Sequence, residues 1–154
     1  MTRIRRAQPA DLDGIMALET ATFPRDAWSR TVMRSELGGR HGYYLVAVDD
    51  DRIVGYAGLL APAGSGQADI QTIAVAPEAR RSGLGRELMT ALVAEAARRG
   101  AAHVFLEVRA DNDPARLLYR DFGFEVISVR EHYYQPDDVS AEVMRLPLSA
   151  ESTP

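Results

Sequence analysis

The chain has 154 residues, a formal net charge of −4 and 46% hydrophobic residues, a composition that indicates one globular domain, residues 1–154, with a substantial core. It contains no cysteine, which excludes disulfides and thiolate metal sites, and no apolar run of about eighteen residues, which argues against a transmembrane helix. The N-terminus lacks an apolar signal-peptide region and the acidic balance gives no reason to expect nucleic-acid binding, so we expect a cytoplasmic protein.

Apolar periodicity predicts an alternating series of elements. In chain order they are a strand over residues 2–6, a helix over 9–19, a helix capped by Ser29 and ending near 37, strands over 43–48, 53–60 and 68–75, a helix over 84–99, a strand over 104–108, a helix capped by Asp113 and ending near 121, and strands over 124–130 and 143–148. Serine and aspartate suit the two caps because their side chains accept hydrogen bonds from the first helical amides. Residues 149–154 are predicted to form a loose tail.

A basic turn that contains glycine lies between the fourth predicted strand and the third predicted helix. Its residues are Arg80, Arg81, Ser82, Gly83, Leu84, Gly85 and Arg86. The free N–H groups of a first helical turn and the helix dipole favour an anion at such a place. Glycine leaves no Cβ between the backbone and a ligand. The turn therefore predicts binding of a pyrophosphate group.

Two familiar phosphate-binding loops do not fit this turn. A Walker A loop requires a lysine, and all 18 basic residues of this chain are arginine. A dinucleotide-binding loop requires a third glycine, which is missing. The spacing of Arg80, Gly83 and Gly85 instead resembles the R/Q-x-x-G-x-G/A signature of the GNAT acetyltransferases, which holds the pyrophosphate of acetyl-CoA.

The resemblance to the GNAT fold extends over nearly the whole chain. Residues 105–112 (FLEVRADN), residues 118–124 (LYRDFGF), Phe23-Pro24 with Trp28-Ser29, and Tyr133-Tyr134 are similar to segments of the RimI type. The resemblance implies an α/β (α+β) fold with a mixed, mostly antiparallel sheet of about seven strands and about four helices. It further implies that the sheet is splayed between its fourth and fifth strands.

The same resemblance implies an activity and its partners. RimI-type proteins transfer the acetyl group of acetyl-CoA to the N-terminal alanine of a small-subunit ribosomal protein. The implied general base is Glu107 and the implied general acid is Tyr119. The residues implied in acetyl-CoA binding are Ile73, Ala74, Val75, Arg80, Arg81, Ser82, Gly83, Leu84, Gly85, Arg86 and Asn112. Trp28, Tyr133 and Tyr134 are the implied substrate-binding residues.

Each of these residues also has a purely structural interpretation. Glu107 would then be a surface carboxylate on a strand, and Tyr119 a core residue of an amphipathic helix. Asn112 is of a type common in turns and helix caps. Trp28 is expected mainly to anchor packing, and Tyr133 and Tyr134 are as compatible with an edge strand as with a substrate loop.

The chemistry of an N-terminal amine suits a single carboxylate base. A free α-amino group has a pKa of about 7.7–8.0, whereas that of lysine is about 10.4. Deprotonation at pH 7 therefore costs about 1 kcal/mol for the first and about 4–5 kcal/mol for the second. The acidic residues Asp137, Asp138 and Glu142 are expected to attract a basic peptide.

Other kinds of site have weaker support. His41, His103 and His132 occur singly without ligand spacing, so we predict no metal site. No serine is accompanied by the histidine and aspartate pattern of a hydrolase. Two other functions remain open: a GNAT enzyme that acts on a small amine or a lysine side chain, and a non-catalytic module that binds acetyl-CoA. The presence of both Glu107 and Tyr119 argues against the second.

Overall fold

A computed structural model describes residues 2–148, which form a seven-stranded sheet and four α-helices. In chain order the elements are β1 (Arg3–Arg6), α1 (Leu12–Thr22), α2 (Arg30–Leu37), β2 (Gly42–Asp49), β3 (Arg52–Leu60), β4 (Gln67–Val75), α3 (Leu84–Arg98), β5 (His103–Arg109), α4 (Asp113–Phe122), β6 (Glu125–Tyr134) and β7 (Val139–Pro147). This confirms the predicted fold class. The predicted tail, residues 149–154, lies outside the described residues.

The sheet has the strand order β1-β2-β3-β4-β5-β7-β6. All neighbouring strands are antiparallel except β4 and β5, which are parallel. The β4–β5 pairing covers only residues 67–69 and 103–105, although both strands continue beyond it. The two strands therefore separate after Asp69 and Phe105, and the sheet is open at the C-terminal ends of β4 and β5.

The two faces of the sheet carry different helices. Gly55 of β3 lies against Leu84 and Leu88 of α3, since a Cβ added to it would be 3.3–3.4 Å from their methyl groups. The next residue, Tyr56, points to the opposite face, where Thr72 connects it to Glu19 of α1. The core on the α1 face includes Ile15 and Met33, and the core on the α3 face includes Leu88 and Leu92.

The helix caps agree with the sequence at one position and differ at another. The Ser29 side chain accepts a hydrogen bond from Val32 N–H, which confirms the predicted cap of α2. The predicted cap at Asp113 was wrong, because Asn112 occupies the cap and accepts from Ala115 N–H at 3.3 Å. Asp113 is instead the first helical residue, where a carboxylate still interacts favourably with the helix dipole.

Strands β6 and β7 are longer than predicted. They extend to Tyr134 and from Val139, so the predicted polar loop between them shrinks to residues 135–138. Strand β6 is at the edge of the sheet and is exposed on both faces over most of its length. Such a strand tolerates polar residues at every position, so apolar alternation does not mark its ends. Within residues 2–148, no helix is long and apolar enough to cross a membrane.

Candidate active site

The open part of the sheet exposes backbone groups of β4. Ala76 N–H donates to the carbonyl of Val54, whereas the Val75 carbonyl accepts from the Arg80 side chain at 2.9 Å. Because backbone groups of successive strand residues point to opposite sides, the Val75 N–H points away from β3, towards the opening. Ile73 and Val75 also pack against the core, and Ala74 is buried.

The basic turn forms the N-terminus of α3 as predicted, with Gly83 as its cap. Gly83 has φ +85°, in the left-handed region that glycine tolerates best. Within the described part of the chain, the amides of residues 81–86 have no hydrogen-bond acceptor, and the next amide, that of Glu87, donates to the Gly83 carbonyl. A group of amides with this orientation can bind a phosphate.

The side chains of the turn stabilise its shape. Ser82 Oγ donates to the Ala79 carbonyl at 2.6 Å, and Arg80 Nε donates to Val75 as described above. The Arg86 guanidinium lies 5.4 Å from the ring centre of Phe122 on α4. Arg80, Arg81 and Arg86 are all exposed, so their positive charge surrounds the free amides.

Glu107 lies on β5 beyond the part that pairs with β4. Its backbone is opposite Val143 of β7, and its side chain is about one-third exposed. Glu107 Oε2 accepts a hydrogen bond from Arg130 Nη1 of β6 at 2.7 Å. The carboxylate is therefore at the open edge of the sheet and is paired with an exposed guanidinium.

Arg109 identifies the face on which Glu107 lies. The two residues are two positions apart on one strand and therefore point to the same face. Arg109 Nη1 donates to Asp26 at 2.7 Å, and Nη2 donates to Asp137 at 2.9 Å. Glu107 therefore faces the side that carries the α1–α2 segment (residues 23–29) and the β6–β7 turn (residues 135–138).

Tyr119 lies in α4 and is 7% exposed. Its ring packs edge to face against Phe124, with centres 6.1 Å apart. Burial raises the pKa of the Tyr119 hydroxyl, and the nearby Tyr134 raises it further. The phenol is therefore protonated at neutral pH, as a proton donor must be.

Two of the three aromatic residues predicted to bind substrate, Tyr133 and Tyr134, lie near Glu107. Tyr133 and Tyr134 contact each other edge to face at the end of β6. The Arg130 guanidinium lies over the Tyr133 ring at 4.2 Å, and burial raises the pKa of Tyr134 to about 12, with Glu107 adding to the shift. Trp28 is partly buried, packs against the core and belongs to the α1–α2 segment.

Glu19 is a buried carboxylate that the sequence analysis did not identify. It is 2% exposed, and it accepts hydrogen bonds from Trp28 N–H at 2.9 Å and from Thr72 Oγ1 at 3.3 Å. Burial raises its pKa, and the two hydrogen bonds oppose that shift. Glu19 thereby attaches the α1–α2 segment to β4. Its sequence signal, an acidic residue on the apolar side of a predicted helix, was present.

The acidic residues expected to attract a basic peptide are already paired within the protein. Asp137 contacts Arg25 and Arg109, Glu142 contacts Arg116, and Asp138 contacts His132. The charges of Asp137 and Glu142 are therefore largely neutralised by arginine, which weakens the expectation that these two residues attract a basic peptide. In the part of the chain that the structure describes, no cluster of three or more histidine or acidic side chains could hold a metal ion.

Comparison with known proteins identifies the family. The sequence profile described as Acetyltransferase (GNAT) family matches residues 12–124. The [ribosomal protein bS18]-alanine N-acetyltransferase of Escherichia coli is 32% identical over 153 residues, which cover 97% of this chain and 99% of that protein. The N-alpha-acetyltransferase RimI of Mycobacterium tuberculosis is 36% identical over 139 residues, 88% of this chain and 86% of that protein.

A solved structure and a longer relative complete the comparison. The crystal structure of the E. coli ribosomal-protein-S18-alanine N-acetyltransferase matches with a TM-score of 0.84 and 30% identity, covering 97% of this chain and 95% of that one. An uncharacterised protein of Mycobacterium leprae is 38% identical over 140 residues, and the chain spans only 38% of its length. With this fold and these relatives, the chain belongs to the GNAT family of N-acetyltransferases.

Proposed function

We propose that this enzyme transfers the acetyl group of acetyl-CoA to the N-terminal α-amino group of a protein, and that its substrate begins with a free alanine, as in ribosomal protein bS18. The relatives named for that reaction support the proposal. The main observation in favour of the proposal is that Glu107 lies on the face of the sheet that is bordered by the α1–α2 segment and the β6–β7 turn. An enzyme with such a substrate would act in the cytoplasm. We further propose that the whole chain, residues 1–154, forms one domain.

The opening of the sheet fits acetyl-CoA. The free amides of residues 81–86 and the exposed arginines beside them would hold the pyrophosphate, because both favour negative charge. The Val75 N–H, which points into the opening, would donate to the thioester carbonyl and stabilise the charge that develops there. Ile73 and Ala74 would contribute strand backbone, and Asn112 would reach acetyl-CoA from the start of α4.

Glu107 would act as the general base. The incoming ammonium has no lone pair, so it must lose a proton before nitrogen can attack a carbonyl carbon. Deprotonation of an α-ammonium group at pH 7 costs about 1 kcal/mol. A single carboxylate within hydrogen-bonding distance is sufficient to accept the proton. Because Arg130 occupies Glu107 Oε2, this guanidinium must move aside before the amine binds there.

Tyr119 would act as the general acid. The thiolate that leaves needs a proton, since its conjugate thiol has a pKa of about 8.5. Burial keeps the Tyr119 hydroxyl protonated. The α1–α2 segment with Trp28, and the end of β6 with Tyr133 and Tyr134, would border the groove for the first residues of the peptide.

Two conservative substitutions test these roles. Glu107→Gln preserves shape but cannot accept a proton, so kcat should fall by about a hundredfold or more at pH 7 and recover partly as the pH rises and more amine is neutral. Tyr119→Phe should lower kcat while the Kd for acetyl-CoA, measured by calorimetry, stays within about twofold. Near-normal turnover of the Glu107→Gln enzyme over the whole pH range would refute the assigned base.

A further inference from the structure

Two guanidinium groups, those of Arg109 and Arg25, connect the two segments that border the face of Glu107. Arg109 binds Asp26 of the α1–α2 segment at 2.7 Å and Asp137 of the β6–β7 turn at 2.9 Å. Arg25 adds a second bridge, since its Nη1 lies 2.7 Å from the other carboxylate oxygen of Asp137. Along the chain these segments are more than one hundred residues apart, so the bridges connect two otherwise separate parts of the protein.

The Arg109 guanidinium is held on several sides. Asp111 accepts from Nε at 3.1 Å, and the Tyr134 ring centre lies 5.1 Å from the guanidinium carbon. The Arg109 side chain is only 19% exposed. The hydrogen bonds that Arg109 donates to Asp111, Asp26 and Asp137 raise its pKa above the ordinary value despite this burial. The guanidinium therefore remains a fixed positive charge between carboxylates.

The end of β5 does not depend on this network for its own position. The backbone of Arg109 is opposite Ala141 of β7, and the Ala110 N–H donates to Ser140 O at 2.8 Å. Backbone hydrogen bonds thus hold the strand. The α1–α2 segment, in contrast, has backbone amides bonded only to nearby residues and to Glu19 among the described residues. Its relation to the β6–β7 turn is set by side chains.

From these contacts we infer that Arg109 is a positioning residue that sets the separation of the α1–α2 segment and the β6–β7 turn, and so the width of the entrance through which a peptide N-terminus reaches Glu107. The inference rests on the proposed function. Loss of the Arg109 guanidinium leaves Asp26 and Asp137 as like charges without the cation between them, while the exposed Arg25–Asp137 pair remains. The two segments are then less firmly connected and can move apart, and the peptide loses contacts on both sides.

Steady-state kinetics of the full-length enzyme with an alanine-initiated peptide test this role. Arg109→Gln should raise the KM for the peptide by about tenfold or more, while the KM for acetyl-CoA and kcat at saturating peptide stay within about threefold. Asp26→Asn removes one bridge and should raise the peptide KM in the same direction by a smaller factor. Arg109→Lys keeps the positive charge but lacks the several N–H donors of the guanidinium. Its peptide KM should therefore lie between those of wild type and Arg109→Gln.

Arg99→Gln is the matched control. Arg99 is as buried as Arg109, with a side chain 16% exposed, and it also bridges separate elements, but it lies at the C-terminal end of α3. Its substitution should leave the peptide KM unchanged. The inference is wrong if folded Arg109→Gln keeps a peptide KM within twofold of wild type, or if it raises the KM for acetyl-CoA as much as the KM for the peptide. If Arg109→Gln does not fold, Asp26→Asn is judged by the same two criteria. If the wild-type enzyme acetylates no peptide N-terminus, the proposed function fails and this inference with it.

Discussion

Arg130 is paired with Glu107, the carboxylate that we assign as the base. It is exposed, and its pairing with Glu107 raises the pKa of the Arg130 guanidinium. An exposed ion pair of this kind contributes little to stability. Under the proposed function its effect on substrate binding is larger, because the guanidinium occupies one of the two carboxylate oxygens.

Substitution of Arg130 should therefore make the carboxylate more accessible to the incoming amine. Arg130→Gln leaves Glu107 Oε2 without this guanidinium partner, so the KM for the peptide should fall by about twofold or more. Arg52→Gln is the control, since Arg52 is a similarly exposed arginine paired with Glu78 outside the site. An unchanged peptide KM in Arg130→Gln would show that the pair does not persist in the working enzyme.

At the scale of an element, helix α3 has two comparable glycines at its ends. Gly83 precedes the helix with φ +85°, and Gly100 follows it with φ +86°. A Cβ at either position would meet no protein atom within 4 Å. Substitution by alanine should thus cost about the same strain, roughly 1–2 kcal/mol, at both ends.

Only one of the two substitutions should affect the ligand. Gly83→Ala places a methyl group beside the free amides of residues 81–86, so its affinity for acetyl-CoA should fall by about tenfold or more. Gly100→Ala should keep the wild-type affinity despite a similar loss of stability. Isothermal calorimetry on both variants gives the comparison, and equal affinities would place the pyrophosphate elsewhere.

The C-terminal end of α3 contains a buried charged cluster. Glu95 is 8% exposed and accepts hydrogen bonds from Arg98 Nε at 2.9 Å and Arg99 Nε at 2.8 Å. Arg99 also donates to the carbonyls of His41 and Ala61, which lie beside the ends of β2 and β3. Hydrogen bonds from Arg98, then Arg99, lower the pKa of Glu95 to about 2.

This cluster predicts a pH dependence of stability. Because the folded pKa of Glu95 is below its ordinary value of 4.5, the stabilisation is complete above that pH and is lost as the pH falls towards 2. Glu95→Gln should cost about 1–3 kcal/mol at pH 7, and the difference from wild type should shrink between pH 4.5 and 2. Urea denaturation measures the free energy of unfolding of both proteins at each pH, with substitution of the exposed Glu125, Glu125→Gln, as the control. A stability difference between wild type and Glu95→Gln that does not change with pH would contradict the role of the charge.

Local sequence signals predicted some elements well and others poorly. Strand β4, the turn at Gly83 and helix α3 each have short-range signatures, namely alternation, a glycine cap and apolar spacing. The end of β6 and the cap of α4 were misjudged because an exposed edge strand needs no alternation and because Asn112 and Asp113 are both good caps.

The side-chain network of the site could not be predicted in this way. Arg109 reaches Asp26 across 83 residues of sequence, and Glu107 reaches Arg130 across 23. Such contacts depend on the strand order, in which β7 inserts between β5 and β6. The sequence identified Glu107 through resemblance to a family, but only the assembled sheet gives it a guanidinium partner.

At the scale of the whole molecule, different residues lie on the two faces of the sheet around the point where β4 and β5 separate. The amides of residues 81–86 lie at the N-terminus of α3, which packs on one face. Glu107 and Arg109 face the α1–α2 segment on the other. Under the proposed function, acetyl-CoA and a peptide would therefore enter from opposite faces and meet where β4 and β5 separate, without competing for one pocket.

The most direct test is a comparison of two peptides by mass spectrometry. One begins with a free alanine followed by the N-terminal residues of ribosomal protein bS18, and the other has the same sequence with a blocked N-terminus and an internal lysine. With acetyl-CoA, the first should gain one acetyl group on its α-amine, and the second should react far more slowly, because lysine deprotonation costs about 3 kcal/mol more. Equal rates for the two peptides would contradict N-terminal acetylation.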